Sequence, residues 1–153
     1  MPVPIPAKVY KSVEWHLHNV KAIREQIDNA RAAVMQSNRA FDLGVPSGHS
    51  KHADPTAVKA IALIDSTKKA ENWLKAIKQT RLYFDGMPQA VLFTRYYGAG
   101  ISSTELSTQI GIDRTKLHRW RDEVVTRCAM EAVARGLIRL NDAESEGTYE
   151  ILG

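Results

Sequence analysis

Apolar side chains recur at three- and four-residue spacing through most of this chain, and no segment shows a sustained two-residue alternation. Tyr10, Val13, Leu17, Val20, Ile27 and Val34 form the first stripe, within a stretch from residue 8 to about 38 that holds no Gly or Pro. The pattern predicts one extended helix with a single buriable face. Arg24 and Arg31 stand where that stripe should be apolar, which favours packing against the rest of the protein over a long zipper. Residues 42–53 (DLGVPSGHSKHA) are rich in turn formers and predict a loop. Asp54-Pro55-Thr56 then supplies a capping carboxylate and a proline at the first helical position. The helix they open is expected to run to about Phe84, with Ile61, Ile64, Trp73, Leu74 and Ile77 inward. Lys59, Lys68, Lys69, Lys75, Lys78 and Arg81 make its other side basic, as a solvated face does.

Punctuation becomes denser afterwards. Asp85-Gly86 breaks the helix, and Pro88 opens another that ends at Tyr97-Gly98. Ser102-Ser103-Thr104-Glu105 is a capping signal for a short helix that Gly111 ends. Asp113 is expected to cap the last helix, which meets no Gly or Pro until Gly136. The fold class is therefore all-α.

Residues 103–125 (STELSTQIGIDRTKLHRWRDEVV) fit a helix-turn-helix. Leu106 and Ile110 give the first helix an inward face, and the small Ser107 permits close approach. Gly111 suits a left-handed turn residue. Ile112 plugs the angle, and Leu117, Trp120 and Val124 form the second helix's inward stripe. Thr115, Arg119 and Asp122 then point outward, flanked by Arg114, Lys116 and His118. Residues 114–121 hold four Lys/Arg and no acid. Long cationic donors at a helix N-terminal half can reach base edges and phosphates in the major groove of double-stranded DNA. The expected DNA-binding set is Arg114, Thr115, Lys116, His118, Arg119 and Arg121, with Ser102, Ser103 and Thr104 offering hydroxyls and amides to a phosphate. Arg119 and Thr115 are the leading base readers.

Charge sharpens this reading only locally. The chain has 153 residues, 21 Lys+Arg, 17 Asp+Glu and a net charge of +4. Residues 1–140 hold all the cations and 13 acids, for +8, while Asp142, Glu144, Glu146 and Glu150 give the last 13 residues −4. Residues 85–140 carry only +2, so the DNA signal is the short basic run rather than the total.

The segment 85–128 resembles the promoter-binding C-terminal domain of sigma factors, in which a helix ending in an RYY-like sequence precedes a Ser/Thr-led positioning helix and a recognition helix. The wider chain resembles phage late-gene transcriptional regulators of the RinA/ArpU kind. The matching residues are the VEWHLHN start at 13–19, Asp54-Pro55-Thr56, and the W-x-x-A-I segment at 73–77. The resemblance covers about residues 8–137, with Ser107 where such motifs usually have Ala. It implies a sigma-like helix-turn-helix bundle and an activator of phage late genes that assists host RNA polymerase. Self-association through the N-terminal helices and a cytoplasmic location in the bacterial host are also implied. The organisation expected is an extended N-terminus at 1–7 and a long-helix region at 8–84 for packing or self-association. A DNA-binding domain at 85–140 and an acidic tail at 141–153 complete it. A phage small terminase subunit and a protein-interaction module without DNA binding are the competing classes.

Other constellations point to no chemistry. His16 and His18 lie two apart and so face apart on a helix, and His49 and His52 lack an evident third ligand; no metal or cofactor is expected. Cys128 falls four residues after Val124 and reads as a space-filler; a single cysteine excludes a disulfide framework and suits a reducing compartment. Trp15, Trp73 and Trp120 read as core. No Walker loop, dinucleotide fingerprint or nucleophile–base pair stands out, so an enzyme is not expected. No apolar run approaches the ~18 residues a membrane span needs, and MPVPIPAKVY lacks the basic region of a signal peptide.

Overall fold

The computed structural model describes residues 5–42 and 55–139, and side chains at 5–36 and 57–139. The loop with His49 and His52, the cap Asp54 and the acidic tail lie outside the described residues, as do the first four positions. Among the described residues there is no strand, and the chain is all-α. Its elements are α1 (Ala7–His18), α2 (Val20–Asp42), α3 (Pro55–Tyr83), a 3-10 turn (Pro88–Ala90), a π-helical segment (Leu92–Tyr96), α4 (Ser103–Ile110) and α5 (Arg114–Ala134). None of the helices is long and apolar enough to cross a membrane.

The chain divides into two compact units, and the division differs from the one sequence patterning suggests. The first takes residues 5–20 and 72–139, so α1 and the end of α3 join the helix-turn-helix. The second takes residues 21–42 and 55–71. The single helix expected from residue 8 to 38 is interrupted at Asn19. There the side-chain amide donates to the Trp15 carbonyl (2.7 Å) and the backbone leaves helical geometry (φ −115°, ψ 28°). An Asn that bonds a carbonyl one turn back offers the backbone an alternative to continuing the helix.

The first unit has the larger core. Val9, Val13 and Leu17 of α1 join Trp73 and Ile77 of α3, Phe84, Leu92, Tyr97, Leu106 of α4, and Leu117, Val124, Val125, Cys128, Ala129 and Ala132 of α5. Leu92, Leu106 and Leu117 are almost fully enclosed, each worth about 1.5–3 kcal/mol relative to exposure. Cys128 fills space as expected, and burial pushes its thiol up to about 12. Trp73 is buried and Trp120 partly so, but Trp15 is 53% exposed and is not core. Its place on α1 is turned away from the Val9–Val13–Leu17 face.

The α3 stripe also needs correction. Trp73 and Ile77 are buried and Leu74 partly so, but Ile61 and Ile64 are exposed. In the second unit α3 turns Leu63, Thr67 and Ala70 toward α2 instead, so the inward register of this half is offset from the one Ile61 and Ile64 suggest. All six basic residues predicted on α3's outer side are exposed.

Pro88 does open the next helical segment, but as a 3-10 turn followed by π-helical geometry. The Tyr97 amide reaches the Leu92 carbonyl at 2.8 Å, and Ala99 reaches Thr94 at 3.0 Å. Widened turns of this kind shift side-chain direction relative to an α-helix. Gly98 closes the segment, where a Cβ would lie 2.6 Å from the Thr94 carbonyl oxygen.

Candidate nucleic-acid interface

Local chemistry builds the helix pair. Ser102 has extended backbone geometry, and its hydroxyl accepts from the Glu105 amide at 3.2 Å, satisfying one orphan donor of α4. Leu106 and Ser107 are buried, and the Ser107 hydroxyl donates to the Thr104 carbonyl at 2.8 Å. The polar atom that distinguishes this position from an alanine is thus satisfied within its own helix. Gly111 ends α4 at φ 69°, ψ 35°, a left-handed conformation costly for residues with a Cβ. Ile112 packs on the core, and its amide closes the turn onto Ser107 at 3.1 Å. Asp113 occupies the cap position of α5, but its side chain makes no capping hydrogen bond.

Leu117 and Val124 are buried and Trp120 is partly buried, which fixes the rotation of α5. Arg114, Thr115, Lys116, His118 and Arg119 are consequently exposed. No ion pair with a described carboxylate engages Arg114, Lys116 or Arg119. Lys116 Nζ sits 5.7 Å from the Trp120 ring centroid, which leans its stem along the helix. Ser102 and Thr104 are exposed and Ser103 is partly so, at the start of α4. The structure therefore gathers the expected set on α5 and α4, with one exception.

Arg121 is that exception. Its side chain is 24% exposed, and it pairs bidentately with Glu14 of α1: Nε to Oε2 at 2.8 Å and Nη2 to Oε1 at 2.5 Å. The charge-assisted bonds to Glu14 hold its guanidinium more firmly protonated than usual. A guanidinium committed in this way anchors α5 to α1 and is not presented openly beside Arg114, Lys116 and Arg119. Asp122 is likewise engaged, accepting from the Tyr10 hydroxyl at 2.7 Å.

Glu14 was not legible as a site residue from the sequence. It also accepts from the Tyr97 hydroxyl at 2.9 Å, so one carboxylate ties α1 to α5 and to the end of the π-helical segment. Burial, with Glu14 nearby, raises the Tyr97 phenol above its ordinary range, so it stays protonated and able to donate. Tyr96 lies beneath Arg121, 5.4 Å from guanidinium carbon to ring centroid. The i, i+4 spacing of Tyr10 and Glu14 beside the apolar α1 stripe was the available signal.

His16 and His18 make ring contacts rather than a ligand pair. His16 stacks on Trp73 at 3.7 Å and 11°, and its Nδ1 lies 2.6 Å from the Ser12 carbonyl. His18 meets the Tyr97 ring edge-on at 4.8 Å. Burial lowers the pKa of both. Among the described residues no group of His, Cys, Asp or Glu is arranged to hold a metal ion.

No family model, curated protein or solved structure matches this chain.

Proposed function

We propose that this protein is a sequence-specific duplex-DNA-binding transcription regulator that lays the N-terminal half of α5 in the major groove. The observation that carries the reading is the exposed basic face of Arg114, Lys116 and Arg119, which pairs with no carboxylate among the described residues, on the second helix of a turn built around Gly111. Arg119 and Thr115 read base edges, Arg114, Lys116 and His118 divide between bases and phosphates, and the start of α4 positions the backbone. Arg121 has no part in the contact. The resemblance to late-gene regulators extends the proposal to an activator of phage late genes that works with host RNA polymerase.

Selection from a random duplex library tests it. The wild-type chain should enrich a short motif, and Arg119→Ala should lose preference at one position while retaining the others. That loss corresponds to about 1–3 kcal/mol at the affected base pair. Failure to enrich any motif, or an equal loss on all sequences, would refute direct readout. Transcription with host polymerase from a promoter carrying the motif then tests activation.

A further inference from the structure

Asp122 is the first acid that α5 reaches, directly after the basic run at 114–121. Thr115, Arg119 and Asp122 follow one another at spacings of four and three, the repeat that keeps side chains on one side of a helix. His118, four residues before Asp122, lies on the same side, and all four are exposed. A carboxylate in that place is unfavourable if the face meets only phosphates, which repel it. It is favourable where the face meets bases, because a carboxylate accepts from the cytosine amino group in the major groove.

The contacts with α1 set Asp122 apart from its neighbour. Arg121 is 24% exposed, and Glu14 engages its guanidinium at both Nε and Nη2. Asp122 is exposed, and the Tyr10 hydroxyl takes only one carboxylate oxygen, Oδ1, leaving Oδ2 as an acceptor. The Tyr10 ring packs on the core, so its hydroxyl is a fixed point. Burial and the bond to Asp122 raise its phenol above the ordinary range, so it stays a donor. An exposed aspartate otherwise samples several rotamers, and one bond from a packed ring selects among them. A side chain fixed before binding loses less freedom on binding. Three residues of α-helix rise about 4.5 Å, comparable to the base-pair step of about 3.4 Å. Asp122 therefore stands over the base pair beside the one that Arg119 contacts.

We propose that Asp122 is a base reader that accepts a hydrogen bond from a cytosine amino group next to the Arg119 contact, and that Tyr10 is its positioning residue. The assignment rests on the duplex-DNA reading above and adds to it the identity of one base.

The random-duplex selection reads this directly. The wild-type motif should carry cytosine beside the position that Arg119→Ala relaxes. Asp122→Ala should lower the preference for that cytosine about tenfold. It should also tighten binding to random duplex about twofold, since a charge that repels phosphate has gone. Asp122→Asn should move the preference from cytosine to adenine, because a side-chain amide both accepts and donates. Tyr10→Phe keeps the ring and the carboxylate but removes the donor. It should weaken the cytosine preference about threefold and leave binding to random duplex unchanged. Loss of folded protein would weaken binding to every sequence alike and move no single position. A motif that keeps the same base there in both Asp122 variants overturns the proposal, leaving Asp122 as a tie between α1 and α5 and the Arg119 reading intact. A preference lost in Asp122→Ala but unaltered in Tyr10→Phe overturns the role of Tyr10. A wild type that selects no motif overturns the DNA reading and this assignment together.

Discussion

Glu14 holds three hydrogen bonds on one carboxylate, two of them from Arg121, and is only 13% exposed. Removing it would leave the guanidinium without its counter-charge and the Tyr97 hydroxyl without its acceptor. Leaving one member of a buried pair uncompensated is more costly than never having had the pair. Because Arg121 keeps some access to water, Glu14→Ala should destabilise the first unit by about 2–4 kcal/mol. Urea unfolding followed by circular dichroism measures this directly. Replacing both partners at once, as Glu14→Leu with Arg121→Met, should recover much of the loss. A double variant as unstable as the sum of the singles would show that the pair contributes more than charge compensation. Gly111 makes a second case, since a Cβ there meets nothing within 4 Å and only its φ of 69° is at issue. Gly111→Ala should therefore cost about 1–2 kcal/mol and no more. A larger loss would mean that the turn itself had been rebuilt.

Among the helices, the outcome for α1 separates what patterning could reveal from what it could not. The periodicity of Val13 and Leu17 identified a buried face, and that face is buried. Periodicity cannot say which partner covers it; the Glu14–Arg121 pair joins residues 107 positions apart and is a fact of three-dimensional packing. The helix-turn-helix was readable because its determinants are local: a cap at Ser102, a left-handed Gly111 and apolar residues one turn apart. The α3 register was harder, since Ile61, Leu63 and Ile64 are apolar groups of equal size on different sides of the helix and only Leu63 faces α2. Arg121 belonged to the basic run by composition and left it only once α1 was in place. The α1 packing also has a titration signature. His16 and His18 have pKa values lowered by burial, so the unfolded chain takes up more protons than the folded one below the ordinary value of about 6.5. Stability should be flat above about pH 7 and fall as pH drops below 6.5. Urea midpoints at pH 7.5 and pH 5.5 should differ less in a His16→Gln/His18→Gln variant, even if that variant is weaker overall. An unchanged difference would assign the acid sensitivity to other groups.

For the whole molecule, the net charge of +4 conceals a partition that bears on how the protein would hold DNA. If only the face of α5 touches phosphates, Arg114 and Lys116 with one further cation neutralise about three of them. Counterion release then gives a slope of about −2.7 for the logarithm of affinity against the logarithm of salt concentration. The exposed Lys75, Lys78 and Arg81 of α3 form a second basic surface in the same unit. Their engagement would steepen the slope to about −5. Titration of a selected duplex between 50 and 300 mM salt decides between the two modes. With α5 alone in contact, Lys78→Ala should leave the slope unchanged while Arg114→Ala flattens it by about 1. A slope near zero would contradict groove binding by a cationic helix altogether. The acidic residues after Leu140 enter the same experiment, because a −4 segment that competes with phosphate for the basic faces would itself be screened by salt. Deleting residues 141–153 should then raise affinity at 50 mM salt and have little effect at 300 mM. Equal affinity of the full and shortened chains at low salt would remove the tail from the account and leave binding to α5 and its neighbours.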